Sequence, residues 1–168
     1  MELNINLLRF MQKLTVTLEP YIKNISYEEY VHKTLEITSK SIDSFSESDP
    51  DLLYSRLENM DEEDILSYFE LDINIEPTVW SCIANFLALV CYYSYRITGE
   101  KYLPETIESI DEKTIEDYFD SYKKLIGSHQ ELLKLKNSLK NEKYIDDKLT
   151  FRYFKVLFED WGWDYGNN

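Results

Sequence analysis

The chain has 168 residues, enough for one domain (1–168) with a real core and too few for two. With 43% hydrophobic residues and only 4 Gly and 4 Pro, it is neither a disordered chain nor a many-stranded sandwich or barrel. Its 32 acidic residues against 18 basic ones leave a formal charge of −14, which disfavours contact with nucleic-acid phosphates and anionic membrane surfaces and favours a basic protein partner.

Apolar positions Ile5, Leu8, Met11, Leu14 and Leu18 recur every three to four residues. They predict a helix from 4 to about 22, ended or kinked by Pro20. Ser26 and Glu29 form a capping-box pair ahead of a second helix, about 27–44, with Ile25 and Tyr30 placed as a hydrophobic staple. Its expected buried stripe is Tyr27, Tyr30, Val31, Leu35, Ile42 and Phe45. After the loop SFSESDP, Asp49 reads as an N-cap and Pro50 as the first-turn proline of a short helix to about 59. Asp61 is expected to cap the next helix, whose first turn Glu62-Glu63-Asp64 suits the positive end of the helix dipole. The segment LDINIEP reads as extended.

Pro77 opens the most apolar helix, which is predicted to run to about Thr98 and stop at Gly99. No charged residue occurs from Pro77 to Tyr95, close to the length that spans a bilayer. Thr78, Ser81, Asn85, Ser94 and several tyrosines interrupt it, and no second such segment follows. A central core helix surrounded by neighbours is the expectation, and no membrane partner is inferred. YLPETIESI reads as a connector. Asp111 is expected to cap a helix carrying Ile115, Tyr118, Phe119, Tyr122, Leu125 and Ile126. Gly127, followed by the capping pair Ser128 and Glu131, divides or kinks what comes next. A last helix is predicted over 147–160, with Tyr153, Phe154, Leu157 and Trp161 on one face, before the tail GWDYGNN. The fold class is therefore all-α, a compact bundle of about seven or eight helices around a central apolar one.

Chemistry is sparse. Cys82 and Cys91, nine residues apart on one helix, are turned by about 900° and separated by about 13 Å, so they face opposite ways and cannot pair. They read as small core residues. Glu29 and His32 form one Glu-x-x-His pair, but His129 has Ile126 at the matching position, so a di-iron bundle lacks its second half. No phosphate-binding glycine loop and no nucleophile elbow occurs. No catalytic residue, metal site or cofactor is expected. The N-terminus shows no leader pattern, so the cytoplasm is the expected address.

Aromatic residues make up 15% of the chain, with 14 Tyr, 8 Phe and 3 Trp. Two clusters read as partner-binding surface. One is Asp61, Glu62, Glu63 and Asp64 with Glu70 and Asp72; the other is Glu159, Asp160, Trp163, Asp164 and Tyr165, where aromatics stand among acids. A solvated helix start and a tail that closes the core are the plainer readings of the same residues.

The middle of the chain resembles a known family. Trp80-Ser81-Cys82-Ile83 in the apolar helix is followed by Tyr92-Tyr93-Ser94-Tyr95, then by Gly99-Glu100-Lys101-Tyr102-Leu103-Pro104-Glu105, Ile107-Glu108 and Asp111-Glu112. Over roughly 63–118 this order is similar to an all-helical immunity protein family of bacterial polymorphic toxin systems, the sixth in its series. The resemblance implies a non-catalytic cytoplasmic antidote, encoded beside a secreted toxin, that binds the toxic domain. It carries over no catalytic residue, and Trp80, Leu103 and Pro104, which match the pattern, are expected to be structural. Alternatives are an acidic nucleic-acid mimic, another helical interaction module, a small helical enzyme or metal protein, and a membrane-associated protein.

Overall fold

The computed structural model describes residues 1–23, 25, 27–59, 63–71, 77–126 and 129–158, the side chains of Glu70, Leu71 and His129 excepted. Among them are ten α-helices and no strand: α1 Ile5–Val16, α2 Glu19–Ile22, α3 Glu28–Asp43, α4 Pro50–Leu57, α5 Ile65–Leu71, α6 Pro77–Thr98, α7 Glu105–Glu108, α8 Glu112–Leu125, α9 His129–Leu139 and α10 Lys148–Phe158. Single 3-10 turns lie at Phe45–Glu47 and Lys143–Asp146.

The helix α6 is the centre. It buries Val79, Trp80, Cys82, Ile83, Phe86, Leu87, Leu89, Val90, Cys91 and Tyr95, which point all round its axis. The helices α8 and α4 cover it most fully, and α1, α3, α5 and α7 close the rest. Packing, and not a lipid phase, therefore accounts for its uncharged run. No helix among the described residues is long and apolar enough to cross a membrane. Gly99 ends α6 at φ +74°, where a side chain is strained, and Glu100 N–H returns to the Tyr95 carbonyl at 3.3 Å. The two thiols face apart as expected: Cys82 Sγ lies 3.8 Å from the Tyr118 carbonyl on α8, Cys91 Sγ 3.5 Å from the Pro50 carbonyl on α4. Burial pushes both thiols up to about 12.

Hydroxyl groups tie α1 to α8 inside the core. Tyr118 Oη donates to the Met11 carbonyl (2.9 Å) and lies 2.7 Å from Thr15 Oγ1, while Tyr122 Oη lies 2.6 Å from Thr17 Oγ1. Burial drives the Tyr118 phenol well above its ordinary range, so it stays a neutral donor. Beside this web Phe10, Phe119, Tyr153, Phe154 and Phe158 form a chain of ring contacts at 4.7–5.9 Å that joins α1, α8 and α10.

Four local expectations are corrected. Pro20 does not end the first helix; it occupies the first turn of the separate α2, where its missing N–H has no helical partner to lose. The connector after Leu103 contains α7, begun at Pro104. The buried face of α3 includes Thr34, Thr38 and Ser41 beside Val31 and Ile42; each hydroxyl donates to the carbonyl four residues back, at 2.7–3.1 Å, so its burial leaves no donor unpaired. The cap of α5 is Asp64: its Oδ1 accepts from Ser67 N–H and its Oδ2 from Asn59 N–H, both at 2.6 Å. The division near Gly127 resolves into two helices, α8 and α9. Ser26, Gly127, Ser128 and Trp161, and the extended segment at 72–76, lie outside the described residues.

The first and last long helices share a cap. Asn4 Oδ1 accepts from Leu7 N–H at 2.9 Å, and Asn4 Nδ2 donates to Asp147 Oδ2 at 3.0 Å. The same Asp147 oxygen accepts the backbone N–H and the hydroxyl of Thr150, each at 3.0 Å. Burial pushes the Asp147 carboxyl up, but the hydrogen bonds from Thr150 and Asn4 outweigh it and hold the group below its ordinary value. Asp147→Ala is expected to cost about 1–2 kcal/mol, as loss of a helix cap does. A carboxyl with a lowered folded-state pKa contributes fully above its ordinary value of 3.8 and loses that contribution as pH falls through the lowered one. Urea unfolding of both proteins at neutral pH and near pH 3 checks this; the gap between them should shrink in acid.

Candidate partner-binding surface

The densest charge among the described residues follows α6. Residues 100–120 hold 8 carboxylates and 2 lysines. Glu100, Glu105, Glu108, Asp111, Glu112, Glu116 and Asp120 are exposed, and Tyr102 stands among them at 80% exposure. The fold places them by short, specific bonds. Thr106 Oγ1 donates to Glu58 Oε2 at 2.6 Å, an oxygen that also accepts from Tyr54 Oη at 3.1 Å, and this pins α7 to α4. Asp111 caps α8 by accepting Lys113 N–H at 2.9 Å. Buried Ile115, Tyr118, Phe119 and Tyr122 fix the rotation of α8, which turns Glu112, Glu116 and Asp120, spaced by four, outward along one ridge.

Two of the ridge's charges are answered locally. Arg152 Nη2 contacts Glu112 Oε1 at 2.8 Å, and Lys113 Nζ contacts Asp117 Oδ1 at 3.1 Å. Like charges at a spacing of four cost a helix about 0.2–0.5 kcal/mol per pair. The ridge thus holds charge that does nothing for α8 itself beyond its first turn.

The first acidic cluster read from the sequence is less acidic in space. Asp64 is 3% exposed, with both carboxylate oxygens taken by backbone N–H groups, so it serves α5 and not a partner. Glu63 is exposed on a pocket lined also by Tyr27, Glu29, Tyr30, Lys33, Arg56 and Tyr68, where two acids face two bases. There Tyr27 stacks on Tyr68 with ring centroids 3.7 Å apart, and the Arg56 guanidinium lies 3.8 Å from the Tyr30 centroid. Burial, then a hydrogen bond to Glu63, raises the Tyr68 phenol. Glu70 lies in α5. Asp61, Glu62, Asp72, Glu159, Asp160, Trp163, Asp164 and Tyr165 lie outside the described residues.

The chemistry of this surface is that of its exposed side chains. It offers carboxylates, a tyrosine and a rigid helical backing, the equipment of recognition by charge and contact. A family model described as Immunity protein Imm6 matches residues 6–125, well over half of the chain. The chain belongs to the Imm6 immunity protein family. The match covers α1 to α8, further than the stretch 63–118 in which the sequence resemblance was read, and it takes in the whole acidic ridge. Comparison with curated proteins and with solved structures returned no match. Trp80, expected to be structural in the Imm6 pattern, is fully buried on α6, and Pro104 is the N-cap of α7.

The ridge escaped the sequence reading because its acids alternate with Leu103, Ile107, Ile110 and Ile115, so that no run of like charge stands out. The signal was the spacing of Glu112, Glu116 and Asp120 on a helix whose other face is apolar.

Proposed function

We propose that this chain is the antidote of a cognate bacterial toxin, binding and neutralising its toxic domain through the acidic, Tyr102-bearing face of residues 100–120. The observation that carries this reading is an 80% exposed tyrosine set among seven exposed carboxylates on a rigid ridge. Membership of the Imm6 family supports a toxin as the partner. The net charge of −14 supports a basic toxin surface, because opposite potentials speed encounter and align the partners. The antidote acts by occupying the toxin, with no catalysis, no cofactor and no nucleic-acid contact, in the cytoplasm where the toxin would strike. The acids of 61–63 and of the tail add to the same attractive field.

The test is co-expression with the toxic domain encoded beside it. Growth should be restored, and one dominant partner should co-purify. Tyr102→Ala is expected to weaken the complex by about 2 kcal/mol, as the loss of a central aromatic anchor does, mainly through faster dissociation. Failure to protect or to bind that toxin would remove the antidote reading. Recovery of many DNA-binding proteins instead would transfer it to a nucleic-acid mimic.

A further inference from the structure

We propose that Glu19, Glu28 and His32 form a binding site for a divalent first-row transition-metal ion of the zinc class. The site does not depend on the antidote reading, and it lies on α2 and α3, not on the ridge.

Local folding brings the three residues together. Glu28 and His32 are four apart on α3, so their side chains share one face. Glu19 opens α2, and its carboxylate lies against His32 of that face. One ligand atom from each residue lies within 4.8 Å of the others. His32 Nε2 is 3.0 Å from Glu19 Oε2.

That last contact is not an ordinary hydrogen bond. Nε2 is closed to solvent and lacks the geometry of a hydrogen bond to any partner among the described residues, although the His32 side chain as a whole is 39% exposed. The nitrogen faces carboxylates from a direction that an N–H bond does not satisfy. A cation between them does satisfy it. An ion held about 2.0–2.2 Å from each ligand sets the ligand atoms roughly 3–4 Å apart. His32 Nε2 and Glu19 Oε2 already stand at 3.0 Å, and the three atoms, within 4.8 Å of one another, draw in slightly to close on an ion. One imidazole with two carboxylates suits zinc and its first-row neighbours better than Mg2+ or Ca2+, which prefer oxygen alone. An open basin of about 640 Å³, bordered by Glu28, Glu29, His32, Lys33 and Glu36, gives the ion and its remaining waters a way in. Lys33 and Lys40 are drawn to Glu36, at 3.6 and 3.1 Å.

Sequence spacing alone selected Glu29 as the partner of His32. In the fold it is Glu28, one full turn back, whose carboxylate lies with the Glu19 carboxylate and the His32 imidazole. Bound metal would clip α2 to α3.

Isothermal titration of Zn2+ into chelator-stripped full-length protein tests the site. One ion per chain is expected, with a rise in melting temperature on saturation. His32→Gln and Glu28→Gln should each weaken binding by at least about tenfold. His129→Gln, a control for the other histidine, should leave it unchanged. Circular dichroism of the metal-free variants separates lost binding from lost folding, since half-exposed positions tolerate these changes. The site is refuted by an absence of binding at millimolar Zn2+, by a titration that His32→Gln leaves intact, or by Mg2+ binding as tightly as Zn2+.

Discussion

Trp80→Ala is expected to lower the free energy of unfolding by about 3–5 kcal/mol, a large part of the roughly 5–15 kcal/mol that holds a domain together. Trp80 is fully buried on α6, the helix against which α8, α4, α1, α3, α5 and α7 pack, so the space it leaves cannot be filled without moving part of that packing. For a chain of this size the loss corresponds to a fall in melting temperature of about 6–20 °C. The indole N–H of Trp80 is buried without a hydrogen-bond partner among the described residues, which makes a second variant informative. Trp80→Phe keeps most of the apolar volume and removes the unpaired donor, so it should cost about 1–2 kcal/mol, much less than alanine. Circular dichroism with urea measures both. An alanine variant within about 1 kcal/mol of the parent would show that α6 is not the pillar of the core.

Reversing Glu105, Glu108, Glu116 and Asp120 to lysine should slow association with the toxin by roughly a hundredfold or more at low salt. These four are exposed, and leaving Glu112 and Asp117 alone spares the ion pairs with Arg152 and Lys113. The fold should tolerate the change, since each surface substitution is worth within about 0.5 kcal/mol. The gap between variant and parent should narrow as salt rises, because the screening length falls from about 10 Å at 0.1 M to about 3 Å at 1 M. Reversal of four exposed acids outside the ridge, Glu2, Asp43, Glu47 and Asp146, makes the same change in charge and is the comparison for net charge alone. If ridge and comparison variants behave alike, the ridge has no special role and the field is diffuse. If binding is lost only on reversing 61–63 or the acids of the tail, the antidote stands and its face has moved.

Much of the fold was legible where punctuation and periodicity agreed. Pro77 and Gly99 bracket an apolar run, and α6 ends where they say. Asp49-Pro50 and Asp111 open α4 and α8 as read. The failures have physical causes. At 61–64 four successive acids can each cap a helix, and the choice of Asp64 depends on Asn59 meeting it through space. Pro20 breaks a helix or begins one equally well, and the deciding hydrogen bonds run from Thr17 and Leu18 back to Leu14 and Thr15. The three hydroxyls on the buried face of α3 were passed over because a binary pattern counts them as polar, although a helix supplies its own acceptors. The candidate site was less legible, because a surface is defined by which residues meet across elements, and Tyr54, Glu58 and Thr106 join α4 to α7 over a separation that spacing does not reveal.

The tyrosine web between α1 and α8, and the cap shared by Asn4 and Asp147, also bear on how the chain folds. Met11 and Tyr118 stand 107 residues apart along the chain, and Asn4 and Asp147 stand 143 apart. Closing a loop costs entropy before its contact returns anything, so bonds between residues this distant form late and slow folding. The packing of α1 on α3 spans a shorter stretch and meets a smaller cost. The web and the shared cap are therefore a latch that closes after the rest has gathered.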